Sequence, residues 1–214
     1  EKLAARAGVR CHIIERDLTE VPPPSWLDEA KAALGPVDVF INNAGMENTG
    51  PTHQSSIEEG LRLLRLNLET PLVIIRQLLP ELLARGGAIV NVASVAALAP
   101  LPQQTWYAAS KAGLAGFSEA LRGELLASKV QILTVYPGPV TTPMAEAAYA
   151  KLGGRAGAAG LAPEGKPDVL ARRILVALER RSARVIYPRF YVMSRLFPWL
   201  ARILSDRLAP KIVL

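Results

Sequence analysis

The chain has 214 residues and a mass of 23.0 kDa, half of them hydrophobic and 21% charged, which predicts one globular domain and excludes a disordered chain. A single cysteine, Cys11, excludes an intramolecular disulfide and favours a reducing, cytoplasmic location, and the two histidines form no cluster that would predict a metal site. The sequence has no uncharged apolar run of about 18 residues, so it predicts no membrane-spanning helix.

The first twenty residues predict a helix, a strand and a turn. Residues 1–8 have the character of a helix end, with Gly8 as the residue just beyond the last turn. Residues 9–14 are apolar enough for a strand, and Asp17 and Leu18 follow it. Taken alone, Asp17 is an ordinary turn-forming residue at a strand end.

The next segment predicts a second helix and a buried strand. Three prolines break the chain at 22–24, and Ser25 is placed to cap a helix that ends near residue 35. Residues 37–41 form an apolar run bounded by turn signals, as expected of a strand buried on both faces. The sequence Asn42-Asn43-Ala44-Gly45 closes this strand, and on its own it predicts only a turn.

A long helical pattern covers residues 57–84, with leucine and isoleucine at helical spacing. Pro71 predicts a kink, because proline cannot donate the hydrogen bond to the carbonyl four residues before it. That carbonyl belongs to Asn67, so backbone polar groups and water could meet there. An asparagine in the middle of a helix could equally be a solvated surface residue, and the pattern does not decide between the two.

The segment 91–111 holds the strongest chemical signal. A buried strand is predicted to end at Ser94, and a helix begins near Trp106 after a proline-containing loop. Tyr107 and Lys111 lie four residues apart and so project from one helix face. An ammonium close by would lower the pKa of the phenol and make Tyr107 a general acid or base, while Ser94 holds a carbonyl oxygen. The Tyr–Lys spacing alone is a weak signal, because it often arises by chance.

The last third of the chain continues the alternation of helices and strands. Small residues fill the helix 106–127, which indicates close packing on the sheet or on a second copy. A strand at 130–135 leads into Pro137-Gly138-Pro139-Val140-Thr141-Thr142, where prolines stiffen the loop and glycine permits close approach of a ligand. Residues 145–167 are rich in glycine and alanine and predict a mobile lid or a plain linker. A helix at 168–181 and a strand at 185–187 follow.

Residues 189–214 predict a basic amphipathic tail distinct from the body of the chain. After residue 171 the chain has nine arginines and one lysine against two acidic residues, which leaves the preceding part slightly acidic. Such a helix can lie on a membrane surface, cover a substrate pocket or contact another copy. No nucleic-acid-binding signature accompanies it, so we expect no nucleic-acid partner. The apolar residues predicted on one face are Leu196, Trp199, Leu200, Ile203 and Leu204.

Several of these motifs together resemble one known family. Asn42-Asn43-Ala44-Gly45, Ser94, the sequence from Tyr107 to Lys111 and the loop from Pro137 to Thr142 have the order and spacing of the short-chain dehydrogenases/reductases, over residues 1–188. The resemblance implies an α/β fold with a Rossmann-like doubly wound parallel sheet. It also implies NAD or NADP as cofactor and a homodimer or homotetramer.

The resemblance assigns roles to individual residues. Tyr107 would be the general acid/base, Lys111 would lower its pKa and hold the nicotinamide ribose, and Ser94 would orient the substrate oxygen. Asn67 would support a water relay that carries protons, and Asp17 would contact the adenine ring. The cofactor-binding residues that the resemblance implies are Asp17, Leu18, Asn43, Ala44, Gly45, Tyr107, Lys111, Pro137, Gly138, Val140 and Thr142.

In this family the first strand and a glycine-rich phosphate loop would precede residue 1. The family sheet has the order 3-2-1-4-5-6-7, so we expect open edges on the strands at 9–14 and 37–41. We therefore expect the chain to be part of a longer protein of about 250 residues. The end of the second strand usually distinguishes NAD from NADP, so this sequence leaves that choice open.

The predicted function is interconversion of a small carbonyl compound and its alcohol by hydride transfer with NAD(P). The hydrophobic tail favours an apolar substrate such as a lipid, steroid or acyl ketone. The alternative is a non-catalytic binding or scaffold protein, which the missing phosphate loop favours and the intact Asn67, Ser94, Tyr107 and Lys111 oppose. A serine hydrolase is disfavoured, because Ser94 does not lie in a G-x-S-x-G sequence.

Overall fold

A computed structural model describes residues 2–20, 25–151 and 163–208. In these ranges one four-stranded parallel sheet forms, and its strands are ordered as they occur along the chain. Parallel strands need long crossovers, which helices supply here. The strands are β1 Val39–Asn42, β2 Gly87–Val92, β3 Val130–Pro137 and β4 Arg184–Tyr187.

Helices cover both faces of the sheet. Alternate residues of β3 point to opposite sides: Ile132 joins the cluster with α4 and α5, while Leu133 joins the cluster with α7. The predicted α/β class and doubly wound parallel sheet are thus confirmed. The helices are α1 Lys2–Ala7, α2 Ser25–Leu34, α3 Ile57–Leu64, α4 Thr70–Arg85, α5 Thr105–Glu124, α6 Pro143–Lys151, α7 Pro167–Glu179, α8 Val192–Leu196 and α9 Pro198–Leu208.

The strand predicted at residues 9–14 is wrong. This segment has no regular structure, and Val9 and Ile13 are exposed. A strand is stable only when its backbone groups pair with a neighbour, and among the described residues no strand lies beside this segment. The open edge predicted for the strand near residue 40 is present: among the described residues β1 is an outermost strand of the sheet and pairs with β2 on one side only.

The predicted break in the long helix is confirmed, and it takes a specific form. Residues Arg65–Glu69 between α3 and α4 form one π-helical turn, in which the Thr70 N–H donates to the Arg65 carbonyl five residues earlier. The wider turn comes just before Pro71, which cannot donate to the carbonyl of Asn67. Single π turns are frequent at functional sites, and this one contains Asn67.

The strand predicted at residues 37–41 forms as β1, but the prediction that it is buried on both faces is wrong, because Val39 and Ile41 are 47% and 49% exposed. Gly8 follows α1 with a left-handed φ of +66°. The tail forms two helices, α8 and α9, with the chain direction changing at Phe197. The first part of the predicted lid is helix α6, whereas residues 152–162 lie outside the described ranges, as do the prolines at 22–24 and residues 209–214.

Two helical glycines give a direct test of the packing between α3 and α5. A Cβ on Gly60 would lie 2.4 Å from the Trp106 ring, whereas a Cβ on Gly116 would meet nothing within 4 Å. We expect Gly60→Ala to lower the free energy of unfolding by about 1–3 kcal/mol through overpacking. Gly116→Ala should raise it by about 0.5–1 kcal/mol, because alanine restricts the unfolded chain. Urea unfolding of both variants measures the two changes, and equal effects would contradict the packing described here.

Candidate active site

Ser94, Tyr107 and Lys111 meet at the carboxyl end of the sheet, as the sequence predicted. Ser94 follows β2 and begins a short 3₁₀ turn, where its Oγ accepts a hydrogen bond from the Ala96 N–H at 3.1 Å. A hydrogen bond also joins the side chains of Ser94 and Tyr107. The Lys111 Nζ lies 5.9 Å from the centre of the Tyr107 ring, on the same face of α5.

Lys111 is a buried cation held by the main chain. Only 5% of the residue is exposed, and its Nζ donates a 2.8 Å hydrogen bond to the Val92 carbonyl at the end of β2. Burial lowers the pKa of Lys111 to about 8. The side chain is therefore close to its own titration at neutral to mildly alkaline pH, which makes its charge responsive to whatever lies beside it.

The prediction that Lys111 lowers the pKa of Tyr107 is wrong for the chain as it stands here. Burial raises the pKa of the Tyr107 phenol, the Ser94 hydrogen bond opposes this, and the Glu47 carboxylate raises it further. Lys111 is not among the groups that act on this pKa: its ammonium lies 5.9 Å from the ring centre and donates its hydrogen bond to the Val92 carbonyl. Tyr107 is thus a protonated phenol at neutral pH, which is the form that donates a proton.

Asn67 is a structural clamp in the site. Its side chain is 1% exposed and bonds the Met46 backbone twice, accepting from the N–H at 2.9 Å and donating to the carbonyl at 2.8 Å. It also donates to the Ser110 Oγ at 3.1 Å, and Ser110 donates to the Tyr107 carbonyl. Ser110 was not predicted from the sequence, although its place between Tyr107 and Lys111 on α5 was a usable signal.

Gly45 lies where the clamp meets the lysine. A Cβ at this position would be 3.2 Å from the Asn67 Oδ1 and 3.5 Å from the Lys111 Nζ. A side chain here would fill the space between the two groups, so glycine keeps that space open. Asn43 and Ala44, just before it, are exposed beside the open edge of β1.

Asn42 has a structural role. Its amide donates to the Asn91 Oδ1 at 2.6 Å across β1 and β2, and the Asn91 amide donates to the Ser118 Oγ at 2.7 Å on α5. All three residues are buried. The chain of hydrogen bonds therefore fixes α5 against the sheet, and with it the position of Tyr107 and Lys111.

The loop after β3 is held in place by contacts with the end of β4 and with the tail. The Gly138 N–H donates to the Tyr187 carbonyl at 2.7 Å, and a Cβ on Gly138 would lie 2.5 Å from the Tyr191 ring. Val140 pairs with Gly165 in an isolated bridge. Tyr191, the tail residue that packs on this loop, was not predicted from the sequence.

Thr142 caps helix α6, because its Oγ1 accepts a 3.2 Å hydrogen bond from the Ala145 N–H. Pro137 ends β3 in register with Tyr187. Both residues therefore lie in the loop that the sequence singled out. This loop is at the carboxyl end of the strands, as Ser94 is, because all strands of the sheet are parallel.

Asp17 and Leu18 lie away from the Tyr107 group, near the helices that carry Asn67. Asp17 accepts from the Thr19 N–H at 2.8 Å in a local turn and faces Arg62 on α3. The Leu18 carbonyl accepts a 2.8 Å hydrogen bond from Thr70 at the start of α4. The Thr19 hydrogen bonds and Arg62 lower the pKa of Asp17. Within the described ranges, no group of three metal-ligating side chains occurs.

Comparison with known proteins gives this arrangement a context. A family model described as short chain dehydrogenase matches residues 1–153. Ketoacyl reductase HetN of Nostoc sp. is 35% identical over 183 residues, which cover 84% of this chain and 62% of that protein. 3β-Hydroxysteroid dehydrogenase 1 of Eggerthella lenta is 34% identical, and the matched residues cover 69% of that protein. The chain thus spans less than 70% of the length of these curated relatives.

Solved structures agree with the fold over most of the chain. A short-chain dehydrogenase from Sphingobium yanoikuyae in complex with NADPH has a TM-score of 0.74 and 25% identity, covering 100% of this chain and 82% of that one. A short chain dehydrogenase from Burkholderia cenocepacia in complex with NADP has a TM-score of 0.74 and 26% identity, covering 92% and 80%.

Proposed function

Because the chain belongs to the short-chain dehydrogenase family, we propose that it is an NAD(P)-dependent oxidoreductase that interconverts a carbonyl compound and its alcohol. The observation that carries the proposal is the convergence of Ser94, Tyr107 and Lys111 at the carboxyl end of β2. A protonated phenol, a hydroxyl and a buried ammonium on one face are the groups that the polarisation and protonation of a carbonyl oxygen require.

The residues around this point fit the nicotinamide and ribose end of a dinucleotide. Gly45 leaves a space next to the Lys111 Nζ that a Cβ would fill. Tyr107 and Lys111 would hold the ribose hydroxyls, and the main chain from Pro137 to Val140 would face the nicotinamide. When bound, the reduced cofactor supplies the hydride. Asp17 and Leu18 are proposed to contact the adenine end, and Asn43, Ala44 and Thr142 to line the remainder.

Side chains of the protein would donate the proton that the substrate oxygen receives. Ser94 would donate a hydrogen bond to the substrate carbonyl oxygen while the Tyr107 hydroxyl gives that oxygen its proton. The raised pKa of Tyr107 keeps the phenol protonated at neutral pH, which favours carbonyl reduction. Asn67 positions Met46 and, through Ser110, the main chain at Tyr107, and a role for it in a proton relay is part of the proposal.

A coupled assay tests the proposed function. The purified protein is given NADPH or NADH and a panel of ketones that includes acyl ketones and ketosteroids, and the loss of absorbance of the reduced nicotinamide is followed. Ketone-dependent oxidation with formation of the alcohol is the expected result, and the faster dinucleotide identifies the cofactor. A protein that binds ketone or dinucleotide but never forms alcohol would instead fit the scaffold hypothesis.

The exposed tail supports an apolar substrate and contact with an anionic membrane surface. Among the described residues, no helix is long and apolar enough to cross a membrane. Yet Trp199 and Leu196 are each 62% exposed, and Arg202 and Arg207 lie among the exposed apolar residues of α9. A second copy of the same face would bring like charges together, whereas anionic lipids would pair with them. The tail also contains Tyr191, whose ring packs on Gly138 of the proposed site.

Vesicle co-sedimentation tests the membrane contact. We expect the protein to sediment with vesicles that contain about a third phosphatidylglycerol and to be released by high salt, because the basic residues contribute electrostatically. The Trp199→Glu and Leu200→Glu double variant should lose binding, whereas Leu126→Glu, an exposed residue just after α5, should retain it. Equal sedimentation of the two variants would contradict the proposal.

We also propose a homodimer through α5. Gly113 is covered by Leu68 of the same chain, but Gly116 and Gly123 have open space around them, as a helix needs for close packing on a second copy.

A further inference from the structure

Glu47 places a carboxylate beside the start of α5, the helix that carries Tyr107, and nothing in the proposed reaction uses it. It lies two residues after Gly45 in the loop that follows β1. Its carboxylate accepts hydrogen bonds from Thr49 Oγ1 at 2.9 and 3.1 Å and from Gln104 Nε2 at 3.2 Å. Gln104 is the residue immediately before α5 and lies three positions before Tyr107.

The loop that carries Glu47 is fixed on both sides. Before it, Met46 is clamped by the Asn67 amide through both of its main-chain groups. After it, the Gly50 N–H donates to the Gln103 carbonyl at 2.9 Å. Gln103 has a left-handed φ of +68°, which is uncommon for a residue other than glycine and is found mainly where surrounding contacts enforce it. The carboxylate is therefore held against the start of α5 and is not a freely moving surface group.

The charge of Glu47 acts on Tyr107. Among the described residues, polar or charged groups lie near the phenol on the turn after β2 (Ser94), on helix α5 (Lys111) and on this loop (Glu47). Glu47 is the one described carboxylate whose charge raises the pKa of Tyr107. A fixed negative charge in that place disfavours any second negative charge, on the phenol or on a substrate.

We propose that Glu47 determines which substrates the site accepts, by excluding anionic carbonyl compounds and favouring neutral or cationic ones that present a hydrogen-bond donor beside the carbonyl. This inference rests on the proposed oxidoreductase function. It assigns Glu47 as a specificity residue: its fixed carboxylate disfavours a second negative charge beside Tyr107 and so repels carboxylate-bearing ketones. Thr49 and Gln104 act through Glu47 by fixing its carboxylate.

The first experiment does not depend on turnover. The ionisation of Tyr107 is followed by ultraviolet difference absorption at alkaline pH, within the range where circular dichroism reports a folded chain. Tyr107→Phe identifies the signal that belongs to Tyr107. In Glu47→Gln the ionisation of Tyr107 should begin at a pH lower by about half a unit, as expected on removal of a like charge. In Glu47→Asp it should begin near the wild-type pH. Glu124→Gln is the matched control, because it removes the same charge at the far end of α5, about 25 Å away.

The second experiment measures charge selectivity. The ratio of kcat/KM for a 3-oxo ester to that for the corresponding 3-oxo acid is compared in the wild type, Glu47→Gln and Glu47→Asp. The ratio should fall at least about tenfold in Glu47→Gln, mainly through a lower KM for the acid, and Glu47→Asp should restore it. An unchanged Tyr107 onset in Glu47→Gln overturns the proposal, and so does an unchanged ratio. Absence of turnover in the wild type and in both Glu47 variants, while the onset of Tyr107 ionisation still shifts in Glu47→Gln, would instead count against the proposed oxidoreductase function.

Discussion

Replacing Tyr107 with phenylalanine is expected to lower kcat for ketone reduction at least about 1000-fold, because the phenol is the proton donor in the proposed reaction. The ring remains, so packing around Ser94 and Lys111 is kept, and dinucleotide binding should stay within a few fold of the wild type. Steady-state kinetics with the best ketone of the panel, together with fluorescence titration of NADPH, measures the two quantities separately.

The matched control for this prediction is Tyr136→Phe. Tyr136 is a buried tyrosine of β3 whose hydroxyl donates to Glu119 at 3.3 Å, so the substitution removes a phenol outside the proposed site. We expect its kcat to remain within about twofold of the wild type. A Tyr107→Phe protein with a tenth or more of wild-type kcat would refute the assignment of Tyr107 as general acid.

The second large effect is expected from Lys111→Met, which should stabilise the chain and abolish its activity. Burial lowers the pKa of Lys111 from its ordinary value of 10.5 to about 8, which corresponds to about 3 kcal/mol of unfavourable free energy for the charged form in the folded state. Methionine fills a similar volume without charge, and loss of the hydrogen bond to Val92 offsets part of the gain. At pH 7 we expect the melting temperature to rise by several degrees.

The pH dependence of that stabilisation follows from linkage. Between pH 8 and 10.5 the unfolded chain binds a proton at Lys111 that the folded chain has lost, so the wild type gains stability as pH rises through this window. The difference between Lys111→Met and the wild type should therefore be full below pH 8 and shrink toward pH 10.5. Calorimetry at pH 7 and pH 9.5 measures it. A variant less stable than the wild type at pH 7, or a gap that widens with pH, would contradict the buried-cation account.

Motif spacing predicted where the side chains of the candidate site lie, because helical geometry and parallel strands leave few alternatives. Tyr107 and Lys111 had to share a face of α5, and Ser94 had to lie at the same edge of the sheet as the ends of the neighbouring strands. The break near Asn67 was also predictable, since Pro71 removes a backbone donor. These features depend on local chain geometry or on a single packing contact, and the sequence alone is enough to predict either.

The errors have a different origin. Residues 9–14 have the composition of a strand but no neighbour to pair with, and pairing is not encoded in the segment itself. The direction of the pKa shift at Tyr107 depends on how deeply the phenol is buried and on where Lys111 directs its ammonium, which only the three-dimensional structure gives. Glu47 and Tyr191 were missed for the same reason, because each reaches the site from a loop or tail distant in sequence.

The most direct test of the central claim follows the hydride itself. The protein is supplied with NADPH or NADH that bears deuterium at the transferring position of the nicotinamide, and the alcohol formed from the best ketone is examined by mass spectrometry and NMR. The account predicts one deuterium on the carbinol carbon, with its formation lost in Tyr107→Phe. Alcohol without deuterium, or the same deuterated product from Tyr107→Phe at the wild-type rate, would contradict it.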